Sequence, residues 1–159
     1  MSLLDAKEYD PRPAQRRRRA AVILIIVALA AFIVWWFFRY APEKGAINRF
    51  FQAIEQKNFE KAYGLYFADP DWKQHPQKHD QYPLNQFILD WGPSSDYGII
   101  TSHNIECAVE PPKKGFASPS GVIVVVRINN RAETTSMWVE KKDNSISLSP
   151  QTVLCHEPR

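Results

Sequence analysis

Tyr97–Glu110 reads YGIITSHNIECAVE. Its odd positions are Tyr97, Ile99, Thr101, His103, Ile105, Cys107 and Val109, and its even positions from Ile100 onward are polar apart from Ile100 and Ala108. Period-two alternation with one wet face is the pattern of a half-buried β-strand, and it puts His103 and Cys107 on the apolar face. After the loop PPKKGFASPSG, residues Val122 to Val126 are apolar on both faces, as expected of a central strand. Asn129-Asn130-Arg131 turns the chain into a third strand over about Thr134 to Lys141. Asp143-Asn144-Ser145 turns it again, into Ile146–Ser149 and then Val153–Cys155.

Upstream, the period changes. Ile47, Phe50, Phe51 and Ile54 recur at helical spacing, and Asn58 reads as the N-cap of a second helix carrying Phe59, Ala62, Tyr63 and Tyr66. Pro83 stands near the start of a third helix with Leu84, Phe87, Ile88 and Trp91 on one face, and Gly92-Pro93 stops it. Three short helices followed by an antiparallel meander give an α+β domain, with the helices packed on one face of a curved four-stranded sheet.

The stretch AINRFFQAIEQKNFEKAYGLY, with its Ala62-Tyr63 pair, resembles the opening of nuclear-transport-factor-2-like domains of the cystatin superfamily. The resemblance covers roughly Gly45 to Cys155. It implies a cone-shaped fold with a pocket between helices and sheet, for which Tyr63, Trp91, Tyr97 and His103 are the lining candidates. It implies no particular activity, since that fold hosts enzymes, adaptors and scaffolds. Bacterial chains that join one membrane anchor to such a domain are common.

The anchor lies at the other end of the chain. Ala20–Phe38 is an unbroken apolar run preceded by Arg16, Arg17, Arg18 and Arg19. As a helix it would be about 28 Å long, close to the ~30 Å hydrocarbon core of a bilayer. Trp35 and Trp36 sit where an interfacial aromatic belt belongs. Six basic residues precede the run, and only Arg39, Lys44 and Arg49 follow within a dozen residues. The positive-inside rule then keeps the N-terminus cytoplasmic and exports the rest. A cleaved signal peptide would need small residues where WWFFRY stands, and a twin-arginine signal would need a polar spacer. The expected organisation is a basic cytoplasmic tail (1–19), a transmembrane helix (20–38), a juxtamembrane linker (39–44) and an extracytoplasmic domain (45–159), in a single-pass plasma (inner) membrane protein.

The net charge of +3 divides unevenly: residues 1–40 hold 7 basic and 3 acidic groups, residues 41–159 hold 13 and 14. Basicity is thus a topology signal and a contact for anionic lipid, and nucleic-acid binding is set aside. Cys107 and Cys155 both fall in the exported part, where a disulfide can form. On the first and last strands of a simple meander they would stand about 14 Å apart, too far to bridge. A curled sheet or a tail folded back after Pro150 would close the gap; two buried free thiols are the alternative.

Chemistry is sparsely signalled. His103 is the one catalytic candidate, as a general acid or base near Asp90 or Tyr97, against the plainer reading of a hydrogen-bonded core histidine. His75 and His79 have metal-ligand spacing, but Pro76 between them argues for a surface loop, so no metal and no cofactor are expected. Trp138 faces away from Met137 and Val139, and Ile123 and Val125 face away from Val122, Val124 and Val126, so both sides of the central strands carry apolar residues. Those on the side away from the helices mark either a partner or homodimer surface on the sheet, or a face the fold itself buries. The expected function is a membrane-anchored binding or interaction module; the alternatives are a pocket enzyme centred on His103 and a small assembly subunit of a cell-envelope complex.

Overall fold

The computed structural model describes residues 12–111 and 120–155, so most of the 111–121 loop and His156 lie outside the described residues. The chain divides into two compact units, Met1–Arg39 and Tyr40–Arg159. The first contains α1 (Arg12–Phe38). The helix begins ahead of the four arginines rather than at Ala20, and its 27 residues rise about 40 Å. Its large apolar side chains from Val22 to Phe38 are 53–76% exposed, so burial in a protein core does not account for this sequence. It is long and apolar enough to cross a membrane. At its aromatic end the Arg39 guanidinium lies 4.6 Å from the Trp36 ring centroid.

The second unit is α+β. Helix α2 (Ala41–Glu55) starts with Pro42 in its first turn, so residues 41–44 are helical. Its stripe of Ile47, Phe50, Phe51 and Ile54 is buried. Lys57, at φ 57°, reverses the chain, and the Asn58 side chain accepts from Lys61 N at 3.1 Å to cap α3 (Phe59–Tyr66). Two 3-10 turns, Trp72–Gln74 and Pro76–Lys78, lead to α4 (Leu84–Trp91), which buries Phe87 and Trp91.

The sheet is an open antiparallel meander in the order β1 (His103–Val109), β2 (Gly121–Ile128), β3 (Thr134–Glu140), β4 (Ile146–Leu148). Asn129 and Asn130, at φ 52° and 54°, make the β2–β3 turn, closed by Arg131 N bonding Ile128 O. Positive φ at both central positions is the type I′ geometry that matches strand twist. The helices cover the face carrying Val122, Val124, Val126, Ile128, Met137, Val139 and Ile146. Met137 and Val139 therefore point to the helices and Trp138 to the outer face.

The alternation of the opening stretch holds only in part. Residues 97–102 are a loop in which Ile100 is buried and Ile99 exposed. This loop is tied to the turn by Asn129, whose Oδ1 accepts from Thr101 N (2.8 Å) and whose Nδ2 donates to Ile99 O (2.8 Å). Within β1 the register slips. Ile105 pairs with Val126, but Cys107 pairs with Val125. Glu106 is the extra residue of a β-bulge, and everything after it changes face. Cys107 thus leaves the helix side, where alternation placed it, for the outer side.

The chain after β4 is a tail rather than a strand. Ser149 N bonds Ser136 O (2.9 Å), Val153 N bonds Ser136 Oγ (3.3 Å), and Cys155 is disulfide-bonded to Cys107 with Cα atoms 5.8 Å apart. Cys107, Val125 and Ser136 form one row across three strands, and the tail runs along it. Folding back after Pro150 is what brings the cysteines together. Ile123 and Val125 are 0% and 1% exposed. Their apolar character, which suggested a partner surface, is satisfied within the chain.

Gly121 opens β2 directly beneath the Trp138 indole, and a Cβ there would meet that ring and lie 2.6 Å from Val139 O. Because backbone cannot yield as a side chain can, Gly121→Ala should destabilise the domain by about 1–3 kcal/mol. A thermal midpoint lower by roughly 4–8 °C per kcal/mol is expected by circular dichroism; an unchanged midpoint would contradict this packing.

Candidate functional site

The space between helices and sheet is filled. Phe50, Phe51, Tyr63 and Phe87 are at most 1% exposed and Trp91 is 2% exposed, and they meet edge-on: Phe50 to Trp91 at 5.1 Å, Tyr63 to Phe87 at 5.3 Å. Of the four pocket candidates, Tyr63 and Trp91 are core residues. The Tyr63 hydroxyl donates to Tyr82 O at 2.7 Å, and Trp91 stacks on Tyr97 at 5.6 Å.

His103 stands at the start of β1, facing α2. Its Nδ1–H donates to Glu55 Oε1 at 2.7 Å, Nε2 lies 2.9 Å from Asn48 Oδ1, and the ring stacks on Phe51 at 5.1 Å. The side chain is 9% exposed. Both nitrogens are engaged with α2, which leaves neither one aimed at a cavity. Asp90 and Tyr97, its expected helpers, are elsewhere: Asp90 accepts from Tyr82 Oη (2.6 Å) and Gln86 Nε2 (2.9 Å), and Tyr97 Oη accepts from Thr135 Oγ1 (3.3 Å). Burial, and the Asp90 carboxylate to which it donates, push the Tyr82 hydroxyl well above the usual phenol range. What the geometry does provide is a brace between α2 and the sheet.

His75 and His79 do converge, though on a carboxylate and not along a helix. Asp69 Oδ2 lies 3.0 Å from His75 Nδ1 and 3.3 Å from His79 Nε2. His79 is buried against Phe67, 4.4 Å between ring centroids. Among the described residues no group of three or more His, Cys, Asp or Glu side chains could hold a metal ion. Partial burial acts against the Asp69 carboxylate, yet hydrogen bonds from His79 and His75 together hold it below the usual range.

Two of the surface clefts flank Tyr97. One cleft of about 390 Å³ is lined by Leu89, Asp90, Trp91, Ser94, Ser95, Asp96, Tyr97 and Leu148. A second, of about 410 Å³, shares Asp96, Tyr97 and Leu148 and adds Arg131, Glu133 and Thr135 among others. Leu89 and Leu148 are 55% and 54% exposed, while Arg131 donates to the backbone carbonyls of Asp96 (2.8 Å) and Tyr97 (2.9 Å). Of the four pocket candidates, Trp91 and Tyr97 line the first cleft, and Tyr97 lines both. The partners of His103, the Asp69 clamp and the organising role of Asn129 were not anticipated from sequence. Only Asn129, in an Asn-Asn turn, carried a local signal.

Compared with known proteins, the chain matches no protein family, no curated protein and no solved structure.

His103→Ala should remove the brace and leave a gap beside Phe51. The expected loss is about 2–4 kcal/mol of stability, read from thermal unfolding, with His103→Gln losing less. A variant that unfolds with the parent would show that the brace contributes nothing. For Asp69, a carboxyl held low in the folded state adds stability above the unfolded value of about 3.9, and that stability is lost as pH falls below it. Between pH 6 and pH 3 the thermal midpoint of Asp69→Asn should therefore fall less than that of the parent. Parallel curves would remove Asp69 from the acid transition.

Proposed function

We propose that the chain is a single-pass plasma (inner) membrane protein whose nuclear-transport-factor-2-like domain sits outside the cytosol and serves there as a binding or assembly module without enzymatic activity. The observation that carries the reading is the Cys107–Cys155 disulfide, present on a chain whose apolar helix follows four arginines. Structural disulfides persist in oxidising compartments and are rare in reducing cytosol. The positive-inside rule, derived from different residues, exports the same part of the chain. Helices on one face of a four-stranded meander support the fold assignment. The filled core and the engaged nitrogens of His103 favour recognition over turnover, because among the described residues the helix–sheet interior leaves His103 facing side chains and not a cavity. The surface open to a partner includes the pair of clefts flanking Tyr97.

The topology is tested by adding protease to intact spheroplasts that express the full chain. The full-length band should shorten to a membrane-embedded fragment without any detergent. Survival of that band until the membrane is dissolved would overturn the orientation.

A further inference from the structure

The outer face of the sheet has its own small apolar layer, separate from the helix-side core. Ile123 and Val125 are buried but do not belong to the cluster that contains Val122, Val124 and Val126. Over Val125 runs the tail, and its hold on the sheet is unequal along its length. Two hydrogen bonds, both to Ser136, attach it at β3. It has no strand pairing, and Thr152 and Leu154 are exposed, Leu154 at 60%. At the β1 end the bond to Cys107 is the attachment. Cys107 and Cys155 are each partly exposed, and neither belongs to the buried core.

We propose that Cys107–Cys155 is a thiol-exchange site and that residues 149–155 are a strap which an incoming dithiol releases, uncovering the apolar row around Val125. The thiolate of the dithiol attacks one sulfur, forming a mixed disulfide and freeing the other cysteine as a thiol. The second thiol of the dithiol then displaces the remaining cysteine. The dithiol leaves oxidised, having supplied two electrons and two protons, and the chain keeps two thiols. The helix-side core does not include the strap, so the domain stays folded when the strap opens. The exchange concerns the domain by itself and is independent of the topology proposed above.

The test is hydrogen–deuterium exchange by mass spectrometry on the purified full chain in detergent micelles, before and after dithiothreitol, with alkylation verifying that both thiols are free. Peptides covering 149–155 should exchange at least tenfold faster after reduction, while α2 and β2 keep their protection. An apolar dye should bind more strongly to the reduced chain. Cys155→Ser should reproduce the reduced state; should that variant not fold, reduction of the already folded protein decides. Unchanged exchange in 149–155 with both thiols free would overturn the proposal, since packing would then hold the strap. Loss of protection in α2 and β2 along with the tail would also overturn it, since the disulfide would then be a staple for the whole domain.

Discussion

The β-bulge at Glu106 governs how both faces of the sheet are used. Before it, His103 and Ile105 point to the helices; after it, Cys107 points to the outer face. Without that one-residue slip the thiol would be directed into the aromatic core, away from any route the C-terminal tail could take. With it, the tail reaches Cys107 along the row of Val125 and Ser136, and the central strand is buried on both sides. Backbone geometry in an edge strand thereby determines whether the disulfide exists at all.

The periodic parts of this domain were readable because burial imposes its period on sequence. The stripes of α2, α3 and α4, the doubly apolar Val122–Val126 and the Asn129-Asn130 turn each carry such a signal. The bulge had none: Glu106 is an ordinary polar residue at a position where alternation also expects one. Its effect is legible only once β1 is paired with β2. The same limit applies to His103, which sequence places on the helix-facing side of β1. That its ring would be bracketed by Asn48 and Glu55 depends on contacts across about fifty residues of chain. Tyr63 and Trp91 looked equally suited to a pocket or a core, because the same side chains serve both. Volume decided it: with Phe50, Phe51 and Phe87 also present, the aromatics fill the space they enclose.

Function is constrained by what remains accessible. The helix–sheet interior is closed, Ile123 and Val125 on the outer face are buried, and Asp69 holds His75 and His79 within the loop that follows it. The concave surface around Tyr97, with Leu89 and Leu148 exposed beside it, is one accessible face of the domain.

The oxidation state of Cys107 and Cys155 in the living cell tests this account most directly. Cells expressing the full chain would be quenched in acid, alkylated under denaturing conditions, and the intact chain weighed by mass spectrometry. An unalkylated chain that takes up two labels only after reduction is the expected result. A chain that arrives with both cysteines already alkylated would mean that the bond does not persist in place, and the extracytoplasmic assignment that rests on it would fall.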